Sequence, residues 1–323
     1  MLRLFRLAAP HTALSMALVL LITPLLTVYM PNADAEDSPT ATTVGHSPLT
    51  WSELQARPLP PSVPRIPYGR AAQQFGELRV PSGRGPFPVV ILVHGGCWLA
   101  EFDYVYMTRL SAALTAAGYA TWTPEFRRIG DAGGGWPNTL LDVGAAADAL
   151  RTLAPKHHLD LHRVVAIGHS SGGHLALWLA ARHRLAADSA LYATAPLPLA
   201  GVVGLAAITD LATYRVGPAD SCNASVDQLL GGTPQTVPQR YAQASPRALL
   251  PLGVAQVLIQ GGLDPIVKPE SARDYVDAAQ AAGDAATLAL IGEDGHFDLA
   301  NPEGAAWTQL QDALHRLLPE YAH

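Results

Sequence analysis

The chain has 323 residues, of which 49% are hydrophobic, and its 21 basic and 27 acidic residues leave a formal net charge of −6. A chain of this length and composition can form one domain of about 250 residues with a substantial core. The charge is mild and spread out, without a basic patch, so the composition argues against a nucleic-acid partner.

The N-terminus predicts export. Two arginines precede an uncharged apolar stretch from about residue 13 to residue 30, and the sequence Ala33-Asp34-Ala35 fits a signal-peptidase site. We therefore expect a signal peptide over residues 1–35 and a secreted or periplasmic mature protein without stable membrane association. An uncleaved membrane anchor is the alternative, because the apolar stretch is close to the ~18 residues that can span a bilayer.

The region after the predicted signal peptide divides into a lead-in and a folded domain. Residues 36–62 are rich in Pro, Ser and Thr, which predicts a flexible lead-in. From residue 63 to residue 320, strand patterns alternate with helical patterns, which predicts an α/β fold with a mostly parallel sheet and helices on both faces. The predicted helices cover about 104–117, 138–153, 171–187, 269–282 and 304–317.

A buried strand over residues 87–93 runs into the turn His94-Gly95-Gly96-Cys97-Trp98. Such a turn can direct backbone N–H groups at the oxyanion that forms during acyl transfer. We expect the amides of Gly96 and Cys97 to be these donors, with the Gly95 amide in reserve, and His94 to hold the loop by hydrogen bonds.

The chain has two cysteines, Cys97 and Cys222, and both would lie in the mature protein. Export permits a disulfide bond. A bridge at Cys97 would tether the oxyanion loop, so we expect both thiols to be unpaired.

Residues 168–173 read Gly-His-Ser-Ser-Gly-Gly and connect the apolar run 163–167 to a helix-prone stretch. A strand, a G-x-S-x-G turn and a helix in this order hold the serine hydroxyl on a strained turn above the end of a sheet. The helix start also supplies free N–H groups and a positive dipole end. We predict that Ser170 is a nucleophile and that the Ser171 amide is a third oxyanion donor. A loop that only caps the helix is the alternative.

Residues 211–250 interrupt the alternation of strands and helices. They are rich in Pro, Gly and polar residues and follow a strand over residues 202–208, so we predict a lid-like insertion over the site. Three aromatic residues are candidates either for substrate-binding pocket walls or for ordinary core: Trp98, Tyr214 and Phe297.

A serine nucleophile needs a histidine base and a carboxylate that orients the histidine. Asp264 comes just past a short apolar strand, and His296 comes after the apolar segment 287–291, so both follow Ser170 in the chain order of α/β-hydrolases. Asp294 and Asp298 are competing carboxylates, but they lie very near His296 in sequence. We therefore favour Asp264 as the orienting acid.

These residues together resemble the α/β-hydrolase superfamily, within it the esterase and lipase branch with an HGG-x-W oxyanion loop. That branch includes acetyl esterases, feruloyl and acetyl-xylan esterases, and arylformamidases. The resemblance covers about residues 62–318, and three further stretches fit it: a first hairpin over Arg65–Gly69 and Phe75–Pro81, a turn Pro124-Glu125-Phe126-Arg127 where the family has E-Y-R, and the segment Leu229–Pro234 with Ala244-Ser245-Pro246. One departure is Gly261-Gly262-Leu263 before Asp264, where the family more often has His-Gly.

The resemblance implies a serine hydrolase that cleaves carboxylic esters through an acyl-enzyme, without a metal or a cofactor, and the N-terminal pattern adds that it is exported. The substrate would be a small-molecule or polymer-linked ester, and a plant-polymer ester suits an exported enzyme. One alternative is an arylformamidase-like hydrolase of amides or formamides. Another is a non-catalytic binding protein on the same fold, although the presence of Ser170, Asp264 and His296 together argues against it.

Overall fold

The computed structural model of the protein describes residues 47–218 and 221–319, so the predicted signal peptide lies outside the described residues. Eight strands of the described residues form one sheet. They are β1 (Arg65–Pro67), β2 (Phe75–Arg79), β3 (Phe87–Val93), β4 (Ala120–Pro124), β5 (Leu159–His169), β6 (Gly201–Leu205), β7 (Ala255–Gly261) and β8 (Ala286–Ile291).

The strand order across the sheet is β1-β2-β4-β3-β5-β6-β7-β8. β1 and β2 form the predicted hairpin, with Arg65 opposite Glu77, and β2 is also antiparallel to β4. All other neighbouring strands are parallel. The predicted mostly parallel α/β-hydrolase sheet is confirmed.

Helices connect the parallel strands. In the described residues they are α1 (Trp51–Gln55), α2 (Thr108–Ala116), α3 (Asn138–Asp148), α4 (Leu150–His157), α5 (Ser171–Ala181), α6 (Leu211–Tyr214), α7 (Ser225–Leu230), α8 (Pro238–Ala244), α9 (Pro269–Ala281) and α10 (Ala305–Leu317). The helix predicted over 138–153 is divided into α3 and α4. No helix within these residues is long and apolar enough to cross a bilayer.

The core is centred on β3 and β5. Both strands carry runs without solvent exposure, Val89–Val93 and Val164–Ile167, because parallel strands covered on both faces need apolar side chains on both sides. Val93 pairs with Gly168 at the end of this ladder. The loops that follow the two strands therefore leave the sheet side by side, at the edge where α/β proteins place their sites.

The predicted flexible lead-in, residues 36–62, contains an ordered helix in its described half. Thr50 and Glu53 form a capping box at the start of α1, which satisfies amides that the helix itself leaves unpaired. Trp51 then packs against three aromatic rings, those of Phe102, Tyr106 and Phe297. These contacts join residues distant in sequence, which is why the Pro- and Ser-rich composition did not reveal them.

Candidate active site

Ser170 occupies the turn between β5 and α5. Its backbone has φ 57° and ψ −122°, a conformation that costs free energy for a residue with a side chain and clusters at functional sites. The Ser170 amide donates to the Leu205 carbonyl at 2.8 Å. A Cβ at Gly168 would collide with the Gly172 carbonyl, and one at Gly172 would collide with the backbone of β3, so the turn requires both glycines.

The structure brings Asp264 and His296 together. The Nδ1 atom of His296 lies 2.8 Å from the Asp264 Oδ2 atom, although the two residues are 32 positions apart. Both side chains are buried. Because Nδ1 is engaged by a carboxylate, it carries the proton, and the Nε2 atom is left as the basic nitrogen.

The Asp264 carboxylate has further donors besides His296. The backbone amides of Ile266 and Val267 donate to its Oδ1 atom at 2.8 and 2.9 Å. The side-chain amide of Gln260 donates to Oδ2 at 3.1 Å. Burial raises the pKa of this carboxyl, but the bonds from His296 and the two backbone amides outweigh burial and leave the pKa of Asp264 below its ordinary value. The acid is therefore ionised at neutral pH.

The competing carboxylates have other contacts. Asp298 accepts hydrogen bonds from the amides of Gly295 and Leu49, at 2.8 and 3.0 Å, through one oxygen atom. These bonds shape the loop that carries His296 and attach the N-terminal segment to it. The backbone carbonyl of Asp294 accepts a hydrogen bond from the Leu263 amide at 3.0 Å. This bond links the loop that carries His296 to the loop that carries Asp264.

The turn over residues 94–98 after β3, which is predicted to hold the oxyanion and is called the oxyanion turn below, has an unusual backbone. Gly96, Cys97 and Trp98 have positive φ angles of 105°, 55° and 58°. Within the described residues, the amides of Gly96, Cys97 and Ser171 donate to no other protein group, so they are free for a ligand oxygen. The Gly95 amide donates to the Tyr106 hydroxyl at 2.7 Å. The donor predicted as a reserve is therefore occupied.

His94 holds the oxyanion turn, as the sequence predicted. Its Nδ1 atom bonds the Gly95 carbonyl at 2.8 Å, and its Nε2 atom bonds the Glu125 carboxylate at 3.0 Å. The His94 ring stacks on Phe126, the residue that replaces the family's tyrosine. Glu125 also pairs with Arg128 at 3.1 Å. The turn is thereby attached to the segment after β4.

The expectation of two unpaired cysteines is wrong. Cys97 and Cys222 form a disulfide bond with a Cα–Cα distance of 5.0 Å across 125 residues of sequence. The segment between β6 and β7 folds back over the oxyanion turn, and this places Cys222 within reach of Cys97. The bridge connects the predicted lid to a predicted oxyanion donor.

The three candidate pocket residues have different surroundings. Trp98 has only 1% of its surface exposed, and its indole N–H donates to His174 at 3.2 Å, so it belongs to the core and not to a pocket wall. Phe297 is half-buried and packs on Trp51 and His296.

Tyr214 lines a cavity of about 750 Å³ between the loop that carries Asp264, the segment 211–250 and α9. Ser170 and His296 are not among the residues that line this cavity. The cavity therefore borders the acid side of the site and does not contain the reacting groups.

Sequence reasoning missed three residues that contact the site loops: Trp51, Tyr106 and His169. The His169 ring lies 4.7 Å from that of His296, and the Tyr106 hydroxyl lies 2.9 Å from the His169 Nδ1 atom. His169 is the variable position of the G-x-S-x-G turn, so its place next to the nucleophile was available as a signal. No local pattern distinguishes Trp51 or Tyr106, because only tertiary folding brings them to the site.

A parallel sheet that presents a strained serine turn beside a buried acid–histidine pair defines the α/β-hydrolase class. The BD-FAE family model matches residues 78–278, more than half of the chain. The chain therefore belongs to the BD-FAE family, an α/β-hydrolase family of esterases, and is a hydrolase of carboxylic esters by class. Among curated proteins, no sequence matches the chain.

Solved esterase structures share the fold. A truncated carbohydrate esterase from gut microbiota is 20% identical, with a TM-score of 0.68, over 79% of this chain and 95% of that chain. Esterase B from Lactobacillus rhamnosis is 21% identical, with a TM-score of 0.66, over 78% and 83%. Esterase 2 from Thermogutta terrifontis, phosphonylated by sarin, is 16% identical, with a TM-score of 0.66, over 85% and 98%. At these identities the likeness supports the fold alone.

Proposed function

We propose that the protein is an exported serine esterase that hydrolyses carboxylic esters through a covalent acyl-enzyme. The observation that carries this proposal is the 2.8 Å contact between His296 and Asp264, together with the positive-φ serine turn at Ser170. A buried carboxylate on one imidazole nitrogen is the arrangement that turns the other nitrogen into a base for a serine hydroxyl.

In the acylation step, the Ser170 Oγ atom attacks the ester carbonyl while His296 Nε2 takes the hydroxyl proton. The carbonyl oxygen becomes an oxyanion and accepts hydrogen bonds from the amides of Gly96, Cys97 and Ser171. The imidazolium then gives its proton to the leaving alkoxide as the tetrahedral intermediate collapses. Asp264 keeps the proton on Nδ1 and stabilises the imidazolium.

In the deacylation step, water attacks the acyl carbonyl while His296 takes a proton from it, and Ser170 leaves with that proton. Each oxyanion donor contributes about 3 kcal/mol to lowering the barrier in enzymes of this type. This chemistry needs no cofactor, because the base, the nucleophile and the donors are all groups of the chain.

The proposed substrate is a small-molecule ester or an ester linked to a polymer such as a plant polysaccharide. The carbohydrate esterase among the structural neighbours motivates the polymer-linked form. The described part of segment 211–250 carries short helices, the cysteine that bridges to the oxyanion turn, and Tyr214 of the cavity, and we propose that this segment forms a lid over the site.

We also propose export with cleavage after Ala35. The N-terminal pattern supports it, and so does the Cys97–Cys222 bridge, because disulfides persist mainly in oxidising compartments. The intact mass of the protein recovered from the periplasm or culture medium tests this proposal. A mass that begins at Glu36 is expected, whereas a membrane-bound protein of full-length mass would favour the uncleaved anchor.

The central experiment measures hydrolysis of p-nitrophenyl acetate and butyrate by the mature protein, Ser170→Ala and an exposed-loop control, Ser82→Ala. We expect activity in the wild type and the control, and a loss of at least about 10⁴-fold in Ser170→Ala. A fluorophosphonate should label the wild type at Ser170 and leave Ser170→Ala unlabelled. A folded wild type without esterase activity or labelling would refute the proposal. A large preference for a matched formamide would instead move the assignment to amide hydrolysis.

A further inference from the structure

A buried hydrogen-bonded chain joins the oxyanion turn to the loop that carries His296. The Gly95 amide lies 2.7 Å from the Tyr106 hydroxyl, which lies 2.9 Å from the His169 Nδ1 atom. The His169 Nε2 atom lies 3.0 Å from the His296 carbonyl oxygen. Three hydrogen bonds therefore span the site from one loop to the other, behind Ser170.

The chemistry of these groups determines where each proton lies. The Gly95 N–H can only donate, so the Tyr106 oxygen accepts from it and directs its own hydrogen to His169. The Nδ1 atom of His169 therefore accepts, and its Nε2–H donates to the His296 carbonyl. This arrangement needs a neutral imidazole. Burial, and secondarily the charge of His296, lower the pKa of His169 to about 3, so the ring is neutral at all pH values where the proposed base could work.

The two ends of the chain are backbone groups next to the proposed reacting groups. Gly95 immediately precedes Gly96 and Cys97, whose amides face no other protein group among the described residues. At the other end, the carbonyl of His296 itself accepts the hydrogen bond from His169. A shift of either end moves a proposed oxyanion donor or the proposed base relative to Ser170.

Aromatic rings pack against both ends of this row of hydrogen bonds. The Trp51 ring lies 5.2 Å from Tyr106 and 5.5 Å from Phe297, so the N-terminal segment covers both ends. Tyr106 and His169 are both buried, and a hydrogen bond lost there leaves a partner that water does not replace.

We propose that Tyr106 and His169 are positioning residues, which hold the oxyanion amides and the His296 imidazole at a fixed separation across Ser170. The proposal rests on the esterase function proposed above. The fixed separation matters most when charge develops on the substrate oxygen. Loss of these hydrogen bonds should therefore weaken transition-state binding and leave ground-state binding almost unchanged.

The test uses Tyr106→Phe, which keeps the ring and removes only the hydroxyl. We expect kcat for p-nitrophenyl acetate to fall about 10- to 100-fold with KM within about twofold of the wild type. The inhibition constant of a trifluoromethyl ketone, which forms an oxyanion on the enzyme, should rise by the same factor as kcat/KM falls. Tyr275→Phe is the matched control, because it also loses a buried hydroxyl bond, to Gln256 at 2.7 Å, and should keep kcat.

A second pair of variants keeps the proposal testable if Tyr106→Phe folds poorly. His169→Gln keeps both a donor and an acceptor group at this position, as neutral histidine does, whereas His169→Leu offers neither. We expect the Gln variant to retain about tenfold more kcat than the Leu variant at equal thermal stability.

The outcomes separate this proposal from the proposed function. Wild-type activity with kcat unchanged in Tyr106→Phe would overturn the positioning role and leave the esterase assignment intact. A raised KM with an unchanged inhibition constant would also overturn it, because it would indicate a general distortion of the substrate site. A wild type without activity would refute the esterase assignment itself.

Discussion

The acid and the oxyanion turn of the candidate site are held in place by different means. Asp264 receives hydrogen bonds from Gln260, Ile266 and Val267, all within four residues of it in sequence. The oxyanion turn is held by Tyr106, Glu125 and Cys222. The Tyr106 hydroxyl contacts Gly95 across 11 positions of sequence, and Cys222 lies 125 positions from Cys97.

This difference indicates which part of the site keeps its geometry under distant substitutions and which part does not. A carboxylate fixed by its own loop keeps its geometry as long as that loop is closed. A turn fixed by distant residues responds to changes in the segment 211–250, in the turn before α2 that carries Tyr106, and in the N-terminal segment. We therefore expect substitutions at the acid to abolish the chemistry, and substitutions around the oxyanion turn to change it by degrees.

The largest effect is expected from Asp264→Asn. An amide in place of the carboxylate can donate to His296 Nδ1, which would leave the proton on the wrong nitrogen, so kcat should fall about 10⁴-fold. Ester hydrolysis rates at pH 7–8 measure this, with Asp312→Asn on the exposed side of α10 as the control. A loss below about tenfold would show that Asp264 is not the orienting acid.

An intermediate effect is expected from Cys222→Ala. This change cuts the bridge at its lid end and leaves the Cys97 amide in place, so kcat should fall about tenfold through a less ordered oxyanion turn. Unfolding free energy should fall by about 2–4 kcal/mol, since the bridge closes a long loop. Urea unfolding and steady-state kinetics measure the two losses.

Reduction of the wild type provides the control for that prediction. Treatment with a phosphine should lower kcat to the level of Cys222→Ala and have no further effect on the variant. Full activity in the variant would mean that the turn does not depend on the bridge.

A smaller effect is expected from Trp51→Ala. The change removes three aromatic contacts, to Phe102, Tyr106 and Phe297, and should lower stability by about 2 kcal/mol and kcat by a few fold. Trp51→Phe, which keeps an aromatic ring there, should recover most of both. Thermal unfolding and kinetics on the same preparations check the prediction, and unchanged values in the Ala variant would refute a role for the N-terminal segment.

The smallest effect on catalysis at neutral pH is expected from the titration of two buried histidines, His169 and His174, which instead changes stability at lower pH. Burial lowers the pKa of His169 to about 3 and that of His174 to about 4, from an ordinary 6.5. Below pH 6.5 the unfolded chain binds protons that the folded protein does not, so the stability present above pH 6.5 falls with pH. We expect a loss of about 2 kcal/mol per histidine between pH 7 and pH 5.

Urea unfolding at pH 7 and pH 5 measures this loss, and His169→Gln is the matched variant. The variant should lose about 2 kcal/mol less than the wild type over the same interval, because one titrating group is gone. Asp264 does not interfere, since its pKa is lowered below 3.8 and its contribution falls only at more acidic pH. An equal loss in both proteins would contradict the neutral state of His169.

Local patterns predicted the parts of the site that depend on short stretches of chain. The apolar run before Gly168 and the helix after Ser171 predicted the serine turn, and the apolar strand before Asp264 predicted where the acid would leave the sheet. The helices over 269–282 and 304–317 agree with α9 and α10 to within one residue at each end. These features follow from hydrophobic periodicity and turn chemistry, which act within about a dozen residues.

Long-range contacts decided what the patterns could not reveal. The bridge between Cys97 and Cys222, the packing of Trp51 on the site loops and the chain through Tyr106 and His169 all join residues whose own neighbours in sequence carry no sign of their partners. For the described residues 47–62 the composition suggested a flexible segment where the structure has a helix, and the risk of tethering Cys97 suggested free thiols where the structure has a bridge.

By itself, then, the sequence determined the α/β alternation, the strand-to-helix turn at Ser170 and the order of acid and histidine after it, because backbone propensity and the alternation of apolar residues are local. Only the tertiary structure decided which distant groups hold the oxyanion turn. That choice depends on how the segment 211–250, α1 and the turn before α2 pack over one edge of the sheet, where burial and hydrogen bonding are set by the whole fold and not by any one segment.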